Sequence, residues 1–400
     1  MNSKNVLVLV GALLLAGMSH AQEIINNSFG KGIFDVIAKD SSYSVNFSAR
    51  FQTLATSSWD FENNQKLRNP ESGILIRRAR LKFDGFAYSP KLVYKIELGL
   101  SNNDIAGASE FTGNSPLYIL DAVAKWNFYP NFEFWAGQTK LPGNRERVIS
   151  SANMETVDRS LLNNRFNIDR DMGVQLHHSA TIGKNFVVRE VFALSQGEGR
   201  NITIGNLGGY QYTLRGEILP FGDFADYSGA DFKREKSPKL SIGASYDFND
   251  NAVRTRSNMG SHMITDTGFF ETDITTLFID TMFKYHGWSV MGEYAKRETD
   301  EAIAINSDGT PTGDVVNIGD ALNIQCAYLF KNNIQLIGRY TTVNLDPTIS
   351  NIGTENQYTF GFSKYIVGHK LKIQTDVSLT DFEDNSTNDL MYRLQLDIHL

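Results

Sequence analysis

The stretch MYRLQLDIHL, residues 391–400, decides the fold. Tyr392, Leu394, Leu396, Ile398 and Leu400 alternate with Arg393, Gln395, Asp397 and His399. A period-two backbone therefore carries the apolar side chains to one face and the polar ones to the other. Such a strand needs an apolar medium on one side and water on the other. About ten residues is also what a tilted strand needs to cross a bilayer.

The same pattern recurs through the chain. In the first segment Tyr43, Val45, Phe47 and Phe51 share a face opposite Ser44, Asn46, Ser48, Arg50 and Gln52. Further two-faced segments fall at about 74–88, 92–101, 117–128, 132–140, 172–180, 186–195 and 210–219. They continue at 240–248, 272–285, 288–297, 319–330, 334–343, 355–366, 371–379 and 391–400, making sixteen. Connections after even-numbered segments are short (89–91, 129–131, 181–185, 286–287, 331–333, 367–370), except for 220–239. Those after odd-numbered segments are long (54–73, 102–116, 141–171, 196–209, 249–271, 298–318, 344–354, 380–390).

Short turns at one end and long loops at the other predict an all-β, 16-stranded antiparallel transmembrane β-barrel over residues 42–400, with long extracellular loops and short periplasmic turns. Side chains cannot fill so wide a barrel, so its polar interior is expected to hold water and its apolar exterior to face lipid. Composition agrees: aromatics make up 12% and prolines number only 9, a balance that favours strands. Trp126, Phe128, Tyr129, Phe132 and Phe134 on one hairpin, Tyr285 and Trp288 on another, and Tyr328 and Phe330 on a third cluster beside short turns. They read as an aromatic girdle at the headgroup level.

Residues 1–21, MNSKNVLVLVGALLLAGMSHA, have one lysine, Lys4, an apolar run from Val6 to Met18 and small residues at Ser19 and Ala21. This predicts a signal peptide cleaved after Ala21, followed by a periplasmic N-terminal extension over 22–41. Export of a barrel implies the outer membrane of a Gram-negative bacterium. The single Cys326 excludes an internal disulfide framework and a cysteine-based zinc site, and the net charge of −7 argues against a nucleic-acid partner.

Taking the face opposite the apolar residues, the inward basic set is Arg50, Arg78, Arg80, Lys82, Lys95, Lys125, Arg215, Lys284, Arg297, Arg339, Lys372 and Arg393. The inward acids are Asp84, Glu97, Asp121, Glu217, Asp247, Asp280, Glu293, Asp376 and Asp397. Lys140, Arg189 and Glu190 break the alternation and take no face. Arg50, Arg78, Arg80 and Lys82 on two adjacent strands stand against one acid, Asp84, so that wall is expected to be positive and to favour anions. The competing expectation is that these cations pair with acids across the lumen, as in a general diffusion pore. The loop 141–171 is balanced: Arg145, Arg147, Arg159, Arg165 and Arg170 against Glu146, Glu155, Asp158, Asp169 and Asp171.

No nucleotide, zincin or nucleophile-elbow motif is present, and no metal or cofactor is expected. His177 and His178 are neighbours on a strand and point to opposite faces. Residues 247–251, DFNDN, carry calcium-like oxygens without the spacing of an EF-hand and read as a solvated loop. Cys326 falls on the lipid-facing side of its segment. A non-conducting barrel, adhesive through its loops or enzymatic at its rim, is the alternative; His262, His286 and His369 are its loop and turn histidines, and no nucleophile partner stands out.

The segments GILIRRARLKFDGF (73–86), GQTKLPGNRERVISSANMETVDRSLLNNRFNIDRDMGVQLH (137–177) and YTLRGEILPFGDF (212–224) resemble the phosphate-selective porin O and P family of Gram-negative outer membranes. The resemblance runs through nearly the whole mature chain. It implies a homotrimeric porin passing small hydrophilic solutes or anions such as phosphate, with 141–171 folded into the lumen as a constriction loop. Two departures stand out: the chain ends in Leu400 rather than an aromatic residue, and the connection 220–239 is unusually long.

Overall fold

The structure is a computed structural model that describes residues 23–24, 29–62, 66–102, 104–105, 109–113, 117–350, 352–383 and 387–400. Residues 1–21, expected from the sequence to be a signal peptide, lie outside the described residues. Sixteen strands form the barrel. The first eight are β1 (Ser44–Glu62), β2 (Leu67–Ala87), β3 (Ser89–Gly99), β4 (Ile119–Tyr129), β5 (Phe132–Lys140), β6 (Arg170–Ile182), β7 (Phe186–Ser195) and β8 (Gln211–Leu219). The second eight are β9 (Lys239–Ala252), β10 (Thr272–Tyr285), β11 (Trp288–Thr299), β12 (Gly319–Leu329), β13 (Ile334–Leu345), β14 (Thr354–Val367), β15 (Leu371–Phe382) and β16 (Thr387–His399). Each pairs antiparallel with its neighbour, and β16 closes on β1 from Thr387 opposite Glu62 to His399 opposite Arg50. Within 22–41, a short strand Phe34–Ile37 pairs with residues 44–47 below the end of β16.

Turn chemistry sets the short end. His286 and Gly287 both take positive φ, 50° and 93°, the geometry of a two-residue turn that matches strand twist. The alternation is visible as burial: in β8 the inward Gln211, Thr213, Arg215, Glu217 and Leu219 are buried while Tyr212, Leu214 and Ile218 are exposed on the outer, lipid-side face. Cys326 is exposed on that face.

Three expectations need correction. The loop placed at 54–73 is largely strand, because β1 and β2 continue to Glu62 and from Leu67. A bulge explains it: the register slips between Gln52 and Thr53, leaving Arg77 as an extra residue opposite them. The slip inverts the face parity above it and hides the strand from a period-two reading. Residues 247–251 are likewise strand, and Asp247 is buried, accepting from Thr213 Oγ1 at 2.7 Å and Gln211 Nε2 at 2.9 Å.

The third correction concerns the lumen. The sequence leads one to expect a water-filled interior narrowed by loop 141–171, yet on the β8–β16 side the interior is packed. Residues 141–169 fold inward with two short helices, α1 (Arg145–Val148) and α2 (Leu161–Phe166), the latter capped by Ser160 Oγ accepting from Asn163 N. Leu141, Leu162, Phe166 and Ile168 of this loop pack on Phe278, Ala295, Ala321, Val343 and Leu345 of the wall. Residues 220–238 also turn inward, where Phe224 meets Ile149, Met154, Met282 and Met291. Burying these groups removes apolar surface from water at about 25 cal/mol per Å².

Candidate functional site

What the two inward segments leave open is a cavity of about 880 Å³ between the inward loop and strands β2 to β8. Arg78, Arg80 and Lys95 reach it from β2 and β3, Gln175 and His177 from β6, and Arg189 and Arg215 from β7 and β8. The loop contributes Arg147 and Arg159, and Lys140 and Arg170 stand where it leaves and rejoins the wall. Arg200 enters from the next long loop.

Of the twelve inward basic residues expected from the sequence, Arg78, Arg80, Lys95 and Arg215 line this cavity, and the others, Arg50, Lys82 and Arg339 among them, do not. Arg50 forks onto Asp397 at 2.9 and 2.8 Å and donates to Ser151 of the loop. Lys82 pairs with Asp84 at 2.8 Å in a partly exposed position. Arg339 is buried behind the loop, donating to Thr156 Oγ1 and the Asp158 carbonyl. Of the loop arginines, Arg147, Arg159 and Arg170 line the cavity. Arg145 is 0% exposed in its own network, and Arg165 holds Glu355 at 2.8 and 2.7 Å.

The wall expected to be locally positive is therefore mostly paired, as the competing expectation has it. Arg80 contacts Glu97 at 3.2 Å and Asp104 at 2.6 Å, and Lys95 contacts Glu97 at 2.7 Å and Asp121 at 2.9 Å. Pairing stops at four cavity cations. Arg78 donates to the Gln52 amide oxygen at 2.7 Å, and Lys140 to the carbonyls of Arg147, Val148 and Ile149. Arg159 donates to the carbonyls of Glu146 and Ile149, and Arg200 to that of Asp104. Neutral oxygens stabilise a cation without cancelling its charge. Among the described residues, none of these four has a carboxylate within 4 Å.

Groups on the inward loop show how it is held. Burial alone would raise the Asp169 pKa, but Arg147 and Arg170 outweigh it and hold this carboxyl far below the usual range. Asp158 is likewise lowered, burial being overcome by Arg77 and Arg393. Burial, reinforced by Arg147, pulls Arg159 down to about 9, which leaves it a cation at neutral pH. At the loop tip burial raises Glu155 despite donors from Ser289, Gln325 and Gln335.

Three lining residues were not placed by the sequence reading. Arg189 faces inward and Glu190 outward, where it meets His178 Nδ1 at 2.8 Å, so β7 alternates regularly after all. Lys140 reaches in at the end of β5, beyond the positive-φ Gly137, where a Cβ would lie 2.2 Å from the Ala122 carbonyl. Arg200 sits in a loop that no periodicity reports. Arg77, released inward by the bulge, binds Asp158. His177 stacks on Trp135 at 3.9 Å, while His262 stacks on Phe111 at 3.8 Å and His369 meets Phe232 and Tyr365 edge-on.

Comparison with known proteins gives a consistent picture. The profile of the family described as phosphate-selective porin O and P matches residues 48–398. No curated protein matches in sequence. Among solved structures, the outer membrane channel DcaP of Acinetobacter baumannii is 14% identical, covering 91% of this chain and 99% of its own, with a TM-score of 0.53. The anion-selective porin from Comamonas acidovorans is 10% identical over 90% of this chain and 100% of its own, TM-score 0.55. Salmonella typhi OmpF, in complex with daunomycin, is 10% identical over 91% and 99%, TM-score 0.56. At these identities the structures establish a shared barrel fold.

Proposed function

The chain belongs to the phosphate-selective porin O and P family and is an outer-membrane channel, and we propose that it conducts small hydrophilic solutes along the β2–β8 side of its lumen with a preference for anions such as phosphate. One observation carries the preference: Arg78, Lys140, Arg159 and Arg200 line the cavity, and among the described residues none of them has a carboxylate within 4 Å. Arginine and lysine lining a pore draw anions and repel cations, and guanidinium forks fit phosphate and carboxylate oxygens. Loop 141–171 acts as the constriction by filling the opposite half of the barrel.

In this reading residues 1–21 direct export and are removed, the short-turn end faces the periplasm of a Gram-negative cell, and three copies associate in the bilayer. Family and fold are those of a channel rather than of an enzyme. Planar-bilayer reversal potentials in a salt gradient, with and without inorganic phosphate, test the proposal. Anion-favouring potentials, together with a single-channel current that falls as phosphate is added, are expected, and cation preference would overturn it.

A further inference from the structure

Residues 220–238 connect β8 to β9 at the end where other connections are short turns. They run between Pro220 and Pro238 and do not hang free. Lys284 Nζ, inward on β10, donates to the carbonyls of Ala225, Ser228 and Ala230 at 2.7, 2.7 and 3.3 Å, gathering the segment around one cation. Asp231 accepts from Gly287 N at 2.8 Å, and Arg234 Nη1 donates to the Leu329 carbonyl at 2.8 Å, fixing the segment to the β10–β11 turn and to the end of β12. Gly229 N donates to the Asn153 carbonyl at 2.8 Å, and a Cβ on Gly229 would lie 2.4 Å from Glu155 Cγ. Segment and constriction loop are thus seated against each other.

The segment also brings charge. Asp226 takes Arg145 Nη1 at 3.0 Å and Arg189 Nη1 at 3.0 Å, and Asp223 takes Arg189 Nη2. Arg145 and Arg215 are otherwise matched by the wall carboxylates Glu217 and Asp280. So the three guanidinium groups Arg145, Arg189 and Arg215 face two carboxylates from the barrel wall and two more from the segment. Arg189, Arg215 and Glu217 line the cavity, which places this balance on the solute's path. The Asp223 side chain is 72% exposed, so its charge is open to solvent.

We infer that residues 220–238 form a selectivity plug, in which Asp223 and Asp226 offset Arg145, Arg189 and Arg215 and so limit the anion preference of the channel at its short-turn end. The inference rests on the reading that the cavity is the conduction path. Without the two carboxylates the cluster turns from net negative to net positive. A unit charge about 10 Å from the path, even at the dielectric of water, changes the local concentration of a monovalent ion about twofold. The effect is screened as salt rises.

The test is ion selectivity of the refolded full-length barrel in planar bilayers. Asp223→Asn with Asp226→Asn is expected to raise the anion-to-cation permeability ratio at least about threefold at low salt, with the gain shrinking near molar salt. Asp223→Glu with Asp226→Glu should restore the native ratio. A measurement on already folded pores avoids any folding defect of the double variant. In a Cys326→Ser background, Asp223→Cys is labelled in the bilayer with a methanethiosulfonate carrying either a sulfonate or a trimethylammonium group. The sulfonate should lower the anion preference and the trimethylammonium raise it. A ratio that does not move with either reagent, or that moves the opposite way, overturns the plug. Native protein that forms no pore would instead overturn the channel reading beneath it.

Discussion

The two halves of the lumen use the same residue types to opposite ends. On the β8–β16 side, arginine and lysine are consumed by structure: Arg145 meets Glu217, Asp226 and Asp280 at 3.1, 3.0 and 2.7 Å, and Arg393 meets Asp376 and Asp158. On the β2–β8 side, Arg78 and Arg159 rest on neutral oxygens and keep their charge for the cavity. An inward cation is therefore no measure of a positive pore. What matters is whether the cation reaches the cavity and whether a carboxylate shares its site: Lys284 and Lys372 rest on carbonyls but are buried behind the inward segments, and Arg80 and Lys95 reach the cavity but meet Glu97 and Asp121 of the wall itself.

Breaking the filled half should give the largest effect. Arg145→Met leaves three carboxylates buried with one guanidinium fewer, a loss of about 3–5 kcal/mol. The midpoint of denaturant unfolding in micelles is expected to fall, and single-channel conductance to rise as the loop loosens. A variant of native stability and conductance would show that the half is not held this way. On the open side, Arg78→Gln with Arg159→Gln should do the reverse. Stability should change by about 1 kcal/mol or less, while the anion-to-cation ratio drops severalfold in reversal-potential measurements.

Acid sharpens the contrast further. The stabilisation from lowered carboxyls such as Asp169 and Asp158 is complete above their unfolded values and lost only as pH falls through the depressed folded ones. Glu155 has the opposite sign: its raised folded value means the seated tip holds a proton more firmly than the unfolded chain, so its seat strengthens as pH falls. Conductance should therefore hold steady from neutral pH down to about pH 4, and acid-triggered opening of the loop would contradict the assignment. The smallest effect belongs outside: Cys326→Ser on the lipid side should shift stability by about 0.5 kcal/mol or less, read from the same unfolding curves.

The barrel was legible because lipid and lumen impose period two on every strand, as residues 391–400 display. The bulge at Arg77 was not, since one inserted residue exchanges faces and makes real strand look like loop. Nor was the packed half, although the sequence held a clue: Phe278, Met282, Met291, Ala295 and Val343 put apolar side chains on the inward face of β10, β11 and β13. An inward apolar residue in a wide barrel signals that something folds against it. Ion pairing was beyond reach, because the partners of Arg50, Arg80 and Arg145 lie between 17 and 347 residues away. Arg189 was missed for a smaller reason, its charged neighbour Glu190 pointing out of the barrel.

The proposed anion preference rests on Arg78, Lys140, Arg159 and Arg200, cations of the open half of the lumen with, among the described residues, no carboxylate within 4 Å. Reversal potential across a salt gradient, for native protein beside the Arg78→Gln/Arg159→Gln variant, tests it most directly. An anion-favouring potential is expected in the native channel, moving toward zero in the variant. A native channel that prefers cations, or an anion preference untouched by losing both arginines, would contradict it.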